Sequence, residues 1–530
     1  MYQPLLTRRY LTSKLMPLLA VVAVALCAAM VLIVWSVMGG FLNSFLASGR
    51  QMIGDVTVAY SQGIPHYERL MDMLEEHPDI ERATPTIETL GLISMPFGES
   101  RDVVIVGVDP EGYNAVTDYS DRLYWRNRAP DAGDLRRRAE IERQLESGLN
   151  DFSSLPREDL RIQLPEGFEI FGERLLVGDP DAPPGQGWEP AAVMGLRVSP
   201  FNSVSDDGFF YPRFPGAWMP DHSITLRVVP FNRRGGFTTA GTVDREFPVA
   251  NEFVSGLFQV DSKWVIVPLD ILQQMLRMDA TERIDPNFRP GADFNEQGEL
   301  VIREPQVIGV SPARVTSVLV KARDGVSADE IEPIVKEIYS EFASFYPPGS
   351  PDAAPDPRWM SESGIYTWRK KPGLAEFIRQ VESETVLILF LFAIISLVAV
   401  VLIFAIFWAM VSEKTKDVGI LRSIGGSKLG IAWLFLRYGM FIGILGAAIG
   451  GTIALIVVSN INPIHEWLTR VTGRAIWDPA FYLFSRIPDE IEPSKAAIVL
   501  ISAVACSVLG ALIPAVRAAN MDPVRALRFE

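Results

Sequence analysis

Glu413-Lys-Thr-Lys-Asp-Val-Gly-Ile-Leu-Arg-Ser-Ile-Gly-Gly-Ser-Lys428 is a compact charged segment set between two long apolar runs. Upstream, residues 385–412 carry no charge. In helix geometry that run spans about 42 Å, more than the roughly 30 Å hydrocarbon core of a bilayer. A second apolar run begins at Leu429. Two membrane helices are therefore expected, joined by a short polar link. The link predicts a small helix of its own: Val418, Leu421 and Ile424 fall three apart, and Gly425-Gly426 ends it. An amphipathic turn held between two spans can act as a handle that a soluble protein grips. The plainer alternative is a loop that merely connects.

Working outward, residues 15–38 are uncharged, longer than the about 7–15 residues of a signal-peptide core, so a retained span is expected. Residues 1–14 hold Arg8, Arg9 and Lys14 without an acid and read as a short interfacial helix. Residues 496–516 supply a fourth uncharged run. The segmentation is then 1–14 cytoplasmic helix, 15–42 first span, 43–372 extracytoplasmic domain, 373–412 helical rod and second span, and 413–428 cytoplasmic link. It continues as 429–458 third span, 459–494 outer loop, 495–516 fourth span and 517–530 cytoplasmic tail. Charge supports it: residues 43–384 carry 34 Lys and Arg against 55 Asp and Glu, whereas basic residues dominate 1–14, 413–428 and 517–530, as the positive-inside rule requires. A net charge of −15 argues against a nucleic-acid partner. The two cysteines, Cys27 and Cys506, lie in apolar runs, so the large domain has no disulfide. Leu374, Phe377, Ile378 and Val381 recur at helical spacing and run without Pro or Gly into the second span, which predicts one continuous rod. On the third span, Gly439-x3-Gly443 and Gly446-x3-Gly450 allow close helix packing. Arg437, eight residues inside, is expected to reach back to the inner interface.

Within 43–372, β-branched stretches bounded by Gly, Pro or Asp predict strands at 55–59, 103–108, 225–229, 237–243, 264–267 and 315–320. Helices are predicted at 67–76, 269–276 and 328–345. The mixture reads as α+β. Residues 131–160, with Arg136-Arg-Arg138, read as a charge-dense solvated insertion, and 179–187 and 346–357 as Pro/Gly/Asp-rich loops. No G-x4-G-K-(S/T), G-x-S-x-G or H-E-x-x-H occurs. His66, His77, His222 and His465 are scattered, so no metal site or catalytic constellation is expected and ATP chemistry would need a separate chain.

The segment Glu413-Lys414 with Asp417-Val-Gly-Ile-Leu-Arg-Ser-Ile-Gly425 resembles the E-K-x-x-E-(I/V)-(A/G)-(I/V)-L-(R/K)-x-(I/L)-G signature of FtsX/MacB-type ABC permeases. Val37-Met-Gly-Gly-Phe41 and the ending Arg517-Ala-Ala-Asn-Met-Asp-Pro-Val-Arg-Ala-Leu-Arg-Phe-Glu530 resemble lipoprotein-releasing permeases of the LolC/LolE type. So do Gly107-Val-Asp-Pro110, Phe171–Gly178, Phe237–Thr242, Trp264–Asp270, Ile365–Arg369 and Asp478–Tyr482, in that order. In the tail, Asp522 and Pro523 read as a helix cap and first helical residue. The resemblance implies four transmembrane helices plus a large α+β, MacB-like periplasmic domain in the cell inner membrane. It makes Glu413, Lys414, Asp417, Val418, Ile420, Leu421, Ile424 and Gly425 the coupling helix that docks on an ABC ATPase dimer. No cofactor is bound directly; ATP acts through that partner. A second permease copy, a lipoprotein substrate and a periplasmic carrier are the other implied partners, although the short stretch between Val229 and Phe237 lacks the hairpin that recruits the carrier in LolC-like subunits. Two alternatives stand beside this expectation. One is a MacB/FtsX-like mechanotransmitter driving an efflux or cell-wall hydrolase partner. The other is a membrane-anchored scaffold without an ATPase.

Overall fold

A computed structural model describes residues 15–50, 52–126, 168–178, 187–204, 210–212, 218–231, 241–284, 292–294, 300–302, 307–350, 352–372, 374–472, 487 and 491–522. The chain forms two compact units. One comprises Met1–Ser44, Glu376–Phe481 and Arg486–Glu530, the other Phe45–Ala375 and Tyr482–Ser485.

The first helix, α1 (Leu15–Arg50), continues past the expected limit at residue 42. Residues 41–50 contain no proline, so nothing in the backbone stops it. The soluble unit follows. The strands of its main sheet are β1 (Val56–Pro65), β2 (Ile80–Ser94), β3 (Ser100–Val108), β4 (Ala192–Gly195), β5 (Ser223–Val228), β6 (Val243–Phe253), β7 (Trp264–Pro268), β8 (Arg314–Ala322) and β9 (Ile365–Thr367). They form one mixed sheet in the order β9-β1-β8-β2-β3-β7-β4-β6-β5. β5 then returns to pair with β2, Gly91 opposite Val228 and Ser94 opposite Thr225. Six strands thus close into a ring, which removes two exposed edges, and β8, β1 and β9 extend from it as a flap. Gly91 is where the ring closes: a Cβ there would lie 2.8 Å from the Arg227 carbonyl oxygen and 2.5 Å from Ile105 Cδ1.

Helices α2 (Tyr67–Glu75), α3 (Pro110–Val116), α4 (Leu269–Leu276) and α5 (Ala328–Phe345) cover the sheet. Leu70 and Leu74 of α2, Leu272 and Leu276 of α4, and Val335, Tyr339 and Phe342 of α5 share one core with Val56, Val58, Val318 and Val320. In the Gly107–Pro110 motif, Asp109 caps α3, accepting from the Gly112 N–H at 2.8 Å, and Pro110 takes the first turn.

The expected strands and helices are present with shifted ends, apart from one. Residues 237–240 of the expected 237–243 strand lie outside the described set; of the described residues there only Val243 is strand, and Gly241 has φ 111°. The expected insertion at 131–160, the loop at 179–186, the terminal segments 1–14 and 523–530, and most of 473–490 also lie outside the described residues.

A buried acid sits on β6, within the ring. Glu252 is fully buried, accepting from Trp125 Nε1 at 2.8 Å and Asn202 Nδ2 at 2.7 Å. Burial pushes its carboxyl up from 4.5 to about 7, with the two donors opposing. Asp261, held by the Ser255 hydroxyl at 2.6 Å, is pushed the same way by burial, from 3.8 to about 6. The folded Glu252 carboxyl binds its proton more tightly than the unfolded one, so its contribution to stability falls as pH rises from 4.5 to about 7. At about 1.4 kcal/mol per unit the loss is on the order of 3 kcal/mol. Hydrogen exchange of the full chain at Tyr124 and Trp125, corrected for intrinsic rates, is expected to speed up over that window. Glu252→Gln is expected to flatten the dependence; an unchanged slope in that variant would assign it elsewhere.

The chain leaves the soluble unit through a pinned segment. β9 pairs with β1, Thr367 opposite Val56. Lys370 then binds Glu332 at 2.6 Å and Lys371 binds Glu88 at 2.5 Å. These two lysines were not singled out in the sequence, because their acids lie 38 and 283 residues away.

Candidate functional site

Past the soluble unit come α6 (Leu374–Glu413), α7 (Thr415–Ser423), α8 (Lys428–Ser459), α9 (Ile461–Thr472) and α10 (Pro493–Ala519). Helix α6 is uninterrupted, as the absence of Pro and Gly between Leu374 and Glu413 implies. By length and composition, Leu18–Gly40, Ile378–Glu413, Lys428–Ser459 and Pro493–Ala519 are candidate membrane spans. The expected outer loop at 459–494 contains a helix, α9. Its 12 residues include no proline beyond Asn462-Pro463, in the first turn where proline is tolerated.

The link between α6 and α8 is a separate helix, with a break at Lys414. Thr415 Oγ1 folds back onto the Ser412 carbonyl at 2.7 Å, and Lys414 pairs with Asp417 at 3.1 Å. Its far end is a Schellman turn. The Gly425 N–H donates to the Arg422 carbonyl at 3.1 Å and the Gly426 N–H to Leu421 at 2.9 Å. Gly425 takes φ 100°, a conformation that glycine adopts without strain. Ser427 then caps α8, accepting from the Gly430 N–H at 3.1 Å.

The faces of α7 are divided in a way the three-residue spacing does not capture. Val418 is 3% exposed and packs with Val411, Ile431, Phe435, Ala515 and Ala518. Ile420, Leu421 and Ile424 are 48%, 39% and 79% exposed. Val418 is therefore the root of the helix, and the other three form its outward apolar edge. Glu413, at the end of α6, is exposed, while Lys414 and Asp417 are half-buried. Three apolar residues on open surface between two candidate spans, flanked by charge, are suited to a protein partner.

The four glycines of the two Gly-x3-Gly pairs on α8 touch two different helices. A Cβ on Gly439 would lie 2.7 Å from Ala511 Cβ, and one on Gly443 would lie 2.9 Å from Ser507 Cβ, both on α10. At Gly446 the neighbour is Val24 Cβ at 2.7 Å, and at Gly450 the Ala25 carbonyl oxygen at 2.5 Å, both on α1. The Ser507 hydroxyl donates to the Gly439 carbonyl at 2.8 Å. Arg437 is half-buried on α8.

Comparison with known proteins bears on this helical unit. The family model described as FtsX-like permease C-terminal matches residues 389–523, from within α6 to just beyond α10. Residues 389–523 are similar to an FtsX-like permease domain. LolE of Haemophilus influenzae, a lipoprotein-releasing system transmembrane protein, is 29% identical over 117 residues, which is 22% of this chain and 28% of that protein. LolC of Neisseria meningitidis serogroup B is 23% identical over 180 residues, 34% of this chain and 42% of the relative. The ABC transporter permease YtrF of Bacillus subtilis is 30% identical over 146 residues, 27% and 32% of the two chains. The matches thus span less than half the length of these curated relatives. Among solved structures, the chain is similar to the periplasmic region of MacB from Actinobacillus actinomycetemcomitans at 10% identity and a TM-score of 0.24, over 55% of this chain and 86% of that one. The α7 link and all four packing glycines fall inside the permease domain.

Proposed function

We propose that this chain is the permease subunit of an ATP-driven ABC complex of the cell inner membrane, and that it works on lipoprotein held in the outer leaflet. Helix α7 is the handle on which a cytoplasmic ATPase dimer docks, and ATP is bound by that partner. The soluble unit lies on the periplasmic side, and a second permease copy completes the complex. The supporting observation is the outward edge Ile420, Leu421 and Ile424, set between two candidate spans inside the permease domain. The lipoprotein reading draws on the relatives named for lipoprotein release. Closure of the ATPases on ATP displaces α7, and the spans attached to it carry that displacement to the periplasmic side.

The test is purification of the full chain from its own membranes with whatever binds it, followed by reconstitution. The expected result is an ABC ATPase in the complex and ATP-dependent release of a triacylated lipoprotein from proteoliposomes. A complex that hydrolyses ATP but leaves lipoprotein in the bilayer, with an efflux adaptor or hydrolase bound instead, would select the mechanotransmitter. A chain that brings down no ATPase is a scaffold.

The sidedness is tested separately in a Cys27→Ala, Cys506→Ala background. An impermeant thiol reagent is expected to label Glu246→Cys in spheroplasts and to spare Lys416→Cys until the membrane is opened. Both reporter positions are exposed, so shielding reads sidedness and not burial. The opposite pattern would invert the topology.

A further inference from the structure

Helix α7 is joined by the chain to α6 and α8, yet one of its polar ties runs elsewhere. Arg422, one turn beyond Val418, sends Nη1 to the carbonyl oxygen of Ala519 at 2.6 Å. Ala519 is the last residue of α10. The last four carbonyls of a helix have no intrahelical donor and carry the negative end of its dipole, so a guanidinium is well matched to this one. The same end of α10 supplies Ala515 and Ala518 to the pocket that holds Val418. Two residues before Ala519, the Arg517 guanidinium lies 3.7 Å from the Trp408 ring centroid on α6. The end of α10 is thus a hub that meets α6 through a cation–π contact and α7 through one hydrogen bond and one apolar root. Alanine surfaces offer Val418 little relief against sliding, whereas the Arg422 bond fixes both register and distance.

We propose that Arg422 is a positioning residue which fastens the docking helix α7 to the end of the fourth span, so that α7 and α10 move as one body. A pull on the outward edge of α7 is then delivered to α10 directly and is not absorbed at the Lys414 break or the Gly425-Gly426 turn. The consequence for transport rests on α7 being the ATPase handle; the fastening itself rests only on the Arg422–Ala519 geometry. The residue is distinct from the docking edge: Arg422 faces the bundle, so replacing it leaves Ile420, Leu421 and Ile424 in place.

The experiment uses the full chain in nanodiscs, with Cys27→Ala and Cys506→Ala and spin labels at Lys416→Cys on α7 and Val516→Cys on α10. Both labelled positions are exposed. Dipolar broadening reads the separation of the two helices. With Arg422 present, one narrow separation is expected. Arg422→Gln is expected to raise the population of separated conformers about tenfold, the loss of one charge-assisted hydrogen bond. Arg422→Lys, which restores a cationic donor, is expected to recover the narrow distribution. Helical content and melting midpoint are expected to stay at parent values in both variants. When the co-purifying ATPase is added with Mg-ATP and vanadate, the separation is expected to hold in the parent and change in Arg422→Gln. If Arg422→Gln keeps the narrow separation with and without nucleotide, or if Lys does not rescue, the fastening is wrong. If no ATPase binds the parent, the handle reading fails, and the nucleotide-free spectra still decide the fastening.

Discussion

Leu421→Asp is expected to abolish capture of the ATPase while the permease inserts and folds as before. Leu421 is 39% exposed on the outward edge of α7, so an aspartate there is solvated in the free permease. Against a partner's apolar groove the same carboxylate would be desolvated without a counter-charge. That costs about 3 kcal/mol or more, which lowers affinity at least about a hundredfold. Val418→Asp is the contrasting variant: it places the charge in the root among Phe435, Ala515 and Ala518 and is expected to damage the fold itself. Gly425→Pro should resemble Leu421→Asp in effect by another route. Proline cannot take φ 100° and lacks the N–H that Gly425 donates to Arg422, so the last turn of α7 is lost. The measurements are pull-down of the ATPase and ATP hydrolysis by the reconstituted complex. Full assembly and parent hydrolysis in Leu421→Asp would leave α7 as a connecting loop and remove the basis of the proposed function.

Gly450→Leu is expected to cost the helical unit its stability. The Ala25 carbonyl oxygen is 2.5 Å from where a Cβ would stand and Ala28 Cβ is 3.0 Å away. Both belong to the α1 backbone or its first side-chain atom, so neither can rotate aside and the helices must part. Overpacking of this kind costs about 3 kcal/mol, and parting α1 from α8 also forfeits the contacts of Gly446 with Val24. Gly451→Ala is the control, because its nearest neighbour is the flexible end of Leu500 at 3.3 Å. Unfolding of the purified chain in mixed micelles is expected to shift markedly for Gly450→Leu and little for Gly451→Ala. Equal shifts would mean that α1 does not approach α8 at this glycine.

The parts legible in the sequence are those fixed by local chemistry. Uncharged runs longer than a bilayer core announced the spans, because burial of a helix in hydrocarbon needs nothing beyond the run itself. The small helix after Lys414 and its stop at Gly425 followed from a capping pattern that operates within five residues. The helices Leu269–Leu276 and Ala328–Phe345 were likewise local.

What the sequence withheld depends on partners far along the chain. β2 is the longest strand of the sheet and pairs with three others, yet Pro85 and Gly91 read as strand breakers. Gly91 is there because β5 closes the ring against it, and β5 lies more than a hundred residues on. Three-residue spacing put Val418, Leu421 and Ile424 on one face. The end of α10, about a hundred residues downstream, decided that Val418 turns inward and Leu421 outward. The paired glycines of α8 promised close packing without saying against what, since a missing Cβ carries no record of its neighbour. The burial of Glu252, and with it the expected pH dependence, arises from Trp125 and Asn202, which lie 127 and 50 residues away. Periodicity sets which residues share a helix or a strand; which face is covered is set by the elements that tertiary packing brings to it.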